Sequence, residues 1–282
     1  MDQLIAVMGV GVVSADLPLL AADDLGVTRG DGCFDAARVV VDTAGTRVDH
    51  LHQHLARFAR SASALELPAP DLDAWEDLIT EALAAWTVPG EAVLKLVYTR
   101  GRELYGGGPT QFLAITAAAD ATAARAGVTA ITLARGMASD AFAEAPWLLG
   151  GVKTLSYAIN MAAKREAARR GADEAIFVSS DGYLLEGPTA GLVIAADDRL
   201  WTTPTAGTGI LRSVTVEALL DAAEASGISI HESLFSAGDL AGVEGLWIVS
   251  SVRGVLPVVA LDEAPLPYDP ELTAQLAGFA GF

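Results

Sequence analysis

The class of fold is decided by the stretch Glu174-Ala175-Ile176-Phe177-Val178-Ser179-Ser180-Asp181-Gly182-Tyr183-Leu184-Leu185. Two short apolar runs flank Asp181-Gly182, and an Asp-Gly pair between such runs predicts a β-hairpin. The preceding segment, 156–170, has helical spacing and ends in basic residues followed by Gly171. Basic side chains in a last turn and a following glycine both favour the end of a helix. A helix followed directly by a hairpin indicates a mixed α/β protein.

The same mixture of elements extends outward over the whole chain. Period-two patterns and turn residues predict strands at 3–13, 36–48, 91–100, 110–118 and 245–260. Helical spacing predicts helices at 49–65 and 71–87 and a helix that begins near Ser213. An alanine-rich stretch lies between the two halves. We therefore expect a small N-terminal α/β domain at 1–120, a linker at 121–128 and a larger C-terminal domain at 129–282.

Composition limits the classes of function. Of the 282 residues, 52% are hydrophobic and 19% are charged, which is enough apolar material for a sizeable core. The net charge of −18 argues against a nucleic-acid partner, since duplex binding needs a basic surface. Neither a secretory signal nor a long uncharged apolar run is visible, so we expect a soluble, cytoplasmic protein without a membrane span. The single cysteine, Cys33, excludes an intrachain disulfide and a cysteine-based metal cluster.

Three histidines, His50, His52 and His54, stand close together in the predicted helix at 49–65. In a helix only His50 and His54 would share a face, and no carboxylate completes a set of ligands, so no metal site is expected. Helical spacing instead groups His54, Arg57 and Ser61 on one flank of the apolar stripe. A lone arginine in such a position is usually a solvated residue at the rim of the core.

Three further segments carry weak chemical signals. Lys153 precedes a helix, and its local string is typical of an exposed loop lysine, although a buried lysine there could be a nucleophile. Glu186 ends an apolar strand before Gly-Pro and could point into a cleft or into solvent. The glycine-bearing loop at 203–215 opens a helix, whose free backbone N–H groups suit a phosphate. This loop has neither the Walker A nor the Rossmann pattern.

Taken together, these segments resemble one family, the fold-type-IV pyridoxal-phosphate (PLP) enzymes. Branched-chain aminotransferases, D-amino-acid aminotransferases and 4-amino-4-deoxychorismate lyases belong to it. The similarity runs from about Gly26 to Leu261 in seven collinear segments. These are Arg29-Gly30-Asp31-Gly32-Cys33-Phe34 through Arg38, His54 to Phe58, Lys153 to Tyr157, Gly171 to Glu174, Asp181-Gly182 through Glu186-Gly187, Thr203-Pro204 through Thr215, and Ser250-Ser251 through Val258.

The resemblance implies a role for each matching residue. Lys153 matches the catalytic lysine that forms a Schiff base with PLP, and Glu186 matches the carboxylate that pairs with the pyridine nitrogen. Arg57, Val214, Thr215 and Ser251 match the phosphate-binding groups, and Tyr157 is a further expected cofactor contact. Arg29 and Arg100 are candidates for binding the substrate carboxylates, with an exposed strand or loop end as the alternative for both. The resemblance also implies two α/β domains with the cofactor in the cleft between them, and a homodimer.

The resemblance favours one reaction over two alternatives. The strings Gly30 to Val39 and Ser250 to Val258 are most similar to aminodeoxychorismate lyases, which release 4-aminobenzoate and pyruvate for folate synthesis. Many aminotransferases of this fold have Glu at the position of Gly254. Ala36, the stretch 102–107 and the helix start at 213–216 depart from the family pattern. An aminotransferase for D-amino or branched-chain amino acids is therefore the alternative, and a PLP-binding protein without turnover is the third hypothesis.

Overall fold

A computed structural model describes residues 3–104, 108–118 and 123–282. Contacts divide the chain into two compact units. The first comprises Met1–Ala119 together with Val152–Tyr157, and the second comprises Asp120–Gly151 together with Ala158–Phe282. The mixed α/β class predicted from the sequence is confirmed.

The first unit is built on a six-stranded antiparallel sheet in the order β2-β1-β6-β5-β3-β4. Its strands are β1 (Gln3–Val7), β2 (Gly11–Val13), β3 (Gly32–Asp42), β4 (Gly45–Val48), β5 (Gly90–Thr99) and β6 (Thr110–Ala117), and its helices are α1 (Leu25–Thr28), α2 (Leu51–Ala64) and α3 (Leu72–Ala85). The apolar stripes of α2 and α3 meet where the buried Phe58 and Trp75 rings stand edge to face, 5.2 Å apart.

Two of the predicted strands are hairpins in the structure. The predicted strand 3–13 is interrupted after Val7, and Gly9 in the turn and Gly11 at the start of β2 take positive φ values of 74° and 88°. The predicted strand 36–48 turns between Asp42 and Gly45. Positive φ is the conformation that glycine adopts without steric cost, so these glycines mark the reversals.

The second unit contains a ten-stranded sheet in the order β12-β11-β10-β14-β15-β7-β8-β9-β13, with β16 paired to β15. Its strands are β7 (Val128–Ala134), β8 (Glu174–Val178), β9 (Tyr183–Leu184), β10 (Gly191–Ala196), β11 (Arg199–Thr202), β12 (Ser229–Glu232), β13 (Phe235–Ser236), β14 (Gly245–Ser250), β15 (Gly254–Leu261) and β16 (Ala264–Pro265), and its helices are α4 (Ala158–Arg169), α5 (Val214–Ala225) and α6 (Pro270–Phe279). Strand β7 runs parallel to β8 and β15, and β11 runs parallel to β12.

The central strands of this sheet are buried on both faces. Ile194, Ile248 and Leu256 face one apolar cluster, whereas Val193 and Trp247 face a second cluster together with α5 and α6. Burial on both faces explains why 245–260 reads as a nearly continuous apolar run rather than as an alternating pattern.

The hairpin predicted from Asp181-Gly182 is confirmed as β8 and β9. Gly182 takes a φ of 95°, and the Asp181 carboxylate accepts hydrogen bonds from the backbone N–H and the hydroxyl of Ser139 at 2.9 and 2.7 Å. Hydrogen bonds from the Ser179 and Ser139 side chains lower the pKa of Asp181 to about 2. The turn is therefore anchored as well as sterically favourable.

The segment that contains Lys153 differs from its predicted domain. The sequence predicts a C-terminal domain at 129–282 that includes it, whereas residues 152–157 group with the first unit. The physical reason is a backbone pairing: Thr154 forms a β-bridge with Cys33, and the Leu155 N–H donates to the Gly32 carbonyl at 2.8 Å. Within the predicted linker 121–128, residues 121 and 122 lie outside the described residues, and Ala123–Ala126 forms a 3₁₀ helix.

No helix in the described ranges has both the length and the apolar character that a membrane crossing requires.

Candidate active site

Lys153 is held in place by its backbone. Its carbonyl accepts the Phe34 N–H at 3.0 Å, and its own N–H donates to the Ser61 hydroxyl on α2 at 3.2 Å. Strand β3 and helix α2 thus both fix the main chain at this residue. The position of the Lys153 Cα is therefore fixed, and a catalytic side chain requires such a fixed position.

The Lys153 side chain is buried, which corrects the reading of its local string as an exposed loop. The residue is 8% exposed, and Nζ lies 4.6 Å from the centre of the Phe34 ring and 5.5 Å from that of Tyr157. The two rings stand edge to face at 5.1 Å. Tyr157, predicted as a cofactor contact, is therefore brought next to the lysine. Burial beside aromatic rings excludes water from the amine, a condition that favours a nucleophilic lysine.

Arg57 is also buried rather than solvated at the rim. Its Nε and Nη2 donate to the two carboxylate oxygens of Asp35, both at 2.8 Å, and the His54 Nδ1 lies 2.7 Å from Asp35 Oδ1. The Asp35 and Arg57 side chains are 1% and 6% exposed. The predicted grouping of His54, Arg57 and Ser61 on one flank of α2 is confirmed, since all three are buried.

The charges of this cluster compensate one another. Burial alone would raise the pKa of the Asp35 carboxyl, but the Arg57 guanidinium and the His54 hydrogen bond hold it well below its usual range. Burial lowers the pKa of His54, the hydrogen bond and charge of Asp35 oppose that effect, and the charge of Arg57 adds to it, so that the pKa is lowered on balance. The cluster therefore comprises an ionised carboxylate, an arginine and a histidine with a weakened tendency to protonate.

Asp35 is the residue that the sequence reasoning missed. Residues 33, 35, 37 and 39 share the buried face of β3, and Asp35 is the one charged member of that set. A carboxylate on an otherwise apolar strand face requires a buried partner. That pattern, combined with Arg57 on the neighbouring helix, was a signal that could have identified the pair.

Glu186 lies in the second unit, half-buried, directly after the hairpin. Its Oε2 accepts the Leu211 N–H at 3.0 Å, so this side chain has a fixed direction that a solvated strand end would lack. It lines a narrow surface crevice. The crevice is lined by Arg135, Phe177, Leu185, Glu186, Thr208, Gly209 and Ile210.

The start of α5 brings together the predicted phosphate-binding residues of the second unit. Ser213 caps the helix, because its hydroxyl accepts the Val216 N–H at 3.3 Å. Val214 and Thr215 are the first two residues of the helix. First-turn N–H groups cannot bond within their own helix and carry the positive end of the helix dipole. The Thr215 and Ser251 hydroxyl oxygens lie 2.8 Å apart. This arrangement of donors suits a phosphate dianion.

The two arginines suggested for substrate carboxylates have other partners. Arg100 donates to both carboxylate oxygens of Asp31, at 2.6 and 3.1 Å, and to the Leu65 carbonyl at 2.6 Å. Hydrogen bonding with Asp31 raises the pKa of Arg100 further. Arg29 is exposed and lies 3.9 Å from a Glu103 carboxylate oxygen. A substrate contact for either arginine stays a prediction.

The three neighbouring histidines do not form a cluster. His50 precedes α2 in a left-handed conformation, His52 is exposed beside Glu76, and His54 is buried against Asp35. Among the residues that the structure describes, no group of three or more His, Cys, Asp or Glu side chains is arranged to hold a metal ion.

Comparison with known proteins identifies the family. The model of the amino-transferase class IV family matches residues 32–261. A bifunctional aminodeoxychorismate lyase / D-amino acid transaminase from Mycobacterium tuberculosis is 40% identical over 281 residues, which cover 95% of this chain and 96% of that protein. A putative branched-chain-amino-acid aminotransferase from Methanocaldococcus jannaschii is 28% identical over 247 residues, which cover 85% of this chain and 81% of that protein.

Solved structures agree with this assignment. A hypothetical aminotransferase from Mycobacterium tuberculosis, in a form bound to α-ketoglutarate and PMP, has a TM-score of 0.92 and 40% identity, with 98% of each chain covered. A fold IV transaminase from Curtobacterium pusillum has a TM-score of 0.91 and 39% identity, covering 99% of this chain and 98% of that one. The chain therefore belongs to the class IV aminotransferase family and has the fold-type-IV architecture.

Proposed function

We propose that this class IV family member is a PLP-dependent enzyme that cleaves 4-amino-4-deoxychorismate to 4-aminobenzoate and pyruvate. The buried Lys153 amine, enclosed by Phe34 and Tyr157, is the observation that carries the proposal of a PLP enzyme. The choice of reaction is supported by the relative with 40% identity, whose name includes aminodeoxychorismate lyase. The strings at 30–39 and 250–258 favour the same choice.

The residues present fit PLP. Lys153 supplies an amine for the aldehyde, and Glu186 supplies a carboxylate suited to a protonated pyridine nitrogen. The helix start at Val214 and Thr215, with the Ser251 hydroxyl, suits the phosphate, as does the guanidinium of Arg57. When bound, PLP withdraws electrons from the carbon that loses a proton.

The side chains of this chain would do the remaining work. Lys153 Nζ would remove the proton at C4 of the substrate, after which the bond from C3 to the enolpyruvyl oxygen breaks and the ring becomes aromatic. The released enolpyruvate takes up a proton at its methylene carbon and becomes pyruvate, so neither water nor an oxidant is consumed. Glu186 would keep the pyridine nitrogen protonated, and the rings of Phe34 and Tyr157 would limit the access of water.

A D-amino-acid transaminase is the second candidate function. The same relative carries both activities in its name, and the structure with the TM-score of 0.92 is bound to α-ketoglutarate and PMP. One enzyme can have both activities, because both begin with removal of a proton from the carbon that bears the amino group. A transaminase must transfer that amino group to a 2-oxo acid before it can react again, whereas a lyase needs no acceptor.

The need for an acceptor provides the test. The PLP-loaded protein is incubated with aminodeoxychorismate and no 2-oxo acid, and 4-aminobenzoate and pyruvate are measured. Many equimolar turnovers are expected. If neither product forms, while D-alanine and 2-oxoglutarate exchange amino groups rapidly, the lyase proposal is wrong and the transaminase is supported. Lys153→Ala is the control, and both activities should be lost in it. If the wild-type protein binds PLP and has neither activity, the chain is a PLP-binding protein without turnover.

We also infer that the enzyme is a cytoplasmic homodimer, as the family resemblance implies. The chain mass is 29.1 kDa, so light scattering after size exclusion should give twice that value. A mass of one chain at micromolar concentration would contradict the dimer.

A further inference from the structure

The turn between β14 and β15 carries one of the predicted phosphate-binding hydroxyls. Ser251 stands in this turn, and its hydroxyl oxygen lies 2.8 Å from that of Thr215. Gly254 closes the turn with a φ of 80°, a conformation that other residues adopt only with strain. The direction of the Ser251 hydroxyl therefore depends on how firmly the backbone of this turn is held.

Arg125 holds the backbone of the turn. Its Nε donates to the Arg253 carbonyl at 2.9 Å, and its Nη2 donates to the Val252 carbonyl at 3.2 Å. Its guanidinium carbon lies 4.7 Å from the centre of the Phe282 ring, which packs against one of its faces. Two contacts from one planar group fix the turn in position and in orientation.

Glu174 holds the side chain of Arg253, which belongs to the same turn. It is 1% exposed, it forms an ion pair with the Arg253 guanidinium, and it lies 3.8 Å from the Lys164 ammonium. A buried carboxylate is costly unless it is paired, so Arg253 and Lys164 are partners that Glu174 requires. Glu174 belongs to the collinear segment 171–174, to which the resemblance gave no role.

From these contacts we propose that Arg125 and Glu174 are positioning residues for the cofactor phosphate. They fix the turn at 251–253 so that the Ser251 hydroxyl is held beside Thr215 at the start of α5. Neither residue needs to touch the cofactor. This inference rests on the proposed function, because it assumes that the group bound at Thr215 and Ser251 is the phosphate of PLP.

The test compares two cofactor forms that differ in the phosphate. Apoprotein is titrated with PLP and with pyridoxal, which lacks the phosphate, and binding is followed by the absorbance of the lysine-bound chromophore. Arg125→Gln should weaken PLP binding about three- to tenfold, the effect of one misplaced hydrogen bond, and should change pyridoxal binding by less than about twofold. Arg170→Gln is the matched control, since the exposed Arg170 side chain lies directly after α4 and pairs with Glu166, so this variant should leave both affinities unchanged.

Equal weakening of PLP and pyridoxal by Arg125→Gln would overturn the inference, because a merely structural role affects both. So would unchanged binding of both. In a Ser251→Ala background, Arg125→Gln should have no further effect on PLP affinity, and a persisting effect would contradict action through Ser251. Glu174→Gln should reproduce the PLP-specific loss and provides a second variant if Arg125→Gln fails to fold. If the wild-type protein does not bind PLP, the proposed function fails instead.

Discussion

Asp35→Asn removes the charge that compensates a buried arginine. Asp35 accepts two hydrogen bonds from Arg57 at 2.8 Å, and the pair is almost entirely excluded from water. Loss of one partner of a buried ion pair costs about 3–5 kcal/mol, since the remaining charge stays desolvated. An asparagine oxygen can still accept one of these hydrogen bonds, so we expect the lower end, about 3 kcal/mol.

This loss is measured on the apoprotein by thermal unfolding, followed by circular dichroism at pH 7.5. At about 2–4 °C per kcal/mol for a chain of this size, the unfolding midpoint should fall by roughly 6–12 °C. The matched control is Asp42→Asn, the same substitution in the exposed pair of Asp42 with Arg47. Exposed pairs contribute little, so its midpoint should stay within about 2 °C of wild type. If the two variants unfold at the same temperature, Asp35 is not the buried counter-ion that the structure describes.

Four further predictions concern single residues. Because burial lowers the pKa of His54, the unfolded chain takes up a proton that the folded chain does not, so wild-type stability should fall as the pH drops from about 7 through 6.5. His54→Asn should reduce that slope and His52→Asn should not; parallel slopes in all three proteins would exclude His54 as the cause. Glu186→Gln should keep PLP but lose most turnover, and near wild-type activity would make Glu186 structural. Arg57→Ala should weaken PLP binding about ten- to hundredfold with little effect on pyridoxal, and an unchanged PLP titration would show that Arg57 does not bind the phosphate. Burial and the neighbouring Asp35 raise the pKa of Cys33 to about 12, so a disulfide reagent at pH 8 should react with it only after unfolding; rapid reaction of the native protein would contradict that environment.

Elements with local chemical signals could be predicted from the sequence. The Asp181-Gly182 hairpin, the end of α4 before Gly171 and the cap of α5 at Ser213 each depend on a few neighbouring residues. The apolar periodicity of α2 and α3 likewise places Phe58 and Trp75 in the core. Such features survive folding because tertiary contacts reinforce the local preference.

The environment of Lys153 could not be predicted in this way. Its burial depends on the pairing of 153–155 with β3, about 120 residues earlier in the chain, and on the Ser61 hydroxyl. No local pattern encodes a contact of that separation, so the local string indicated an exposed loop. The family resemblance identified the residue as important, whereas the structure supplies the physical reason.

The surroundings of the arginines also could not be predicted from local sequence patterns. The helical spacing correctly places Arg57 beside His54 and Ser61, but it predicts a solvated side chain because it does not reveal the partner, Asp35. Arg100 is a candidate for substrate binding, and the structure adds its contact with Asp31, which the sequence does not reveal. The role of an arginine can be inferred only when its partner is known, and tertiary contacts determine that partner.

The central claim is that Lys153 carries the cofactor, and borohydride reduction tests it most directly. The chain has three lysines, Lys95, Lys153 and Lys164, so peptide mass mapping after reduction of the PLP-loaded protein can assign the pyridoxyl group to one of them. We predict a single stoichiometric label on Lys153, and none in Lys153→Ala treated in the same way. A label on Lys95 or Lys164, or none on the PLP-saturated wild-type protein, would contradict the assignment.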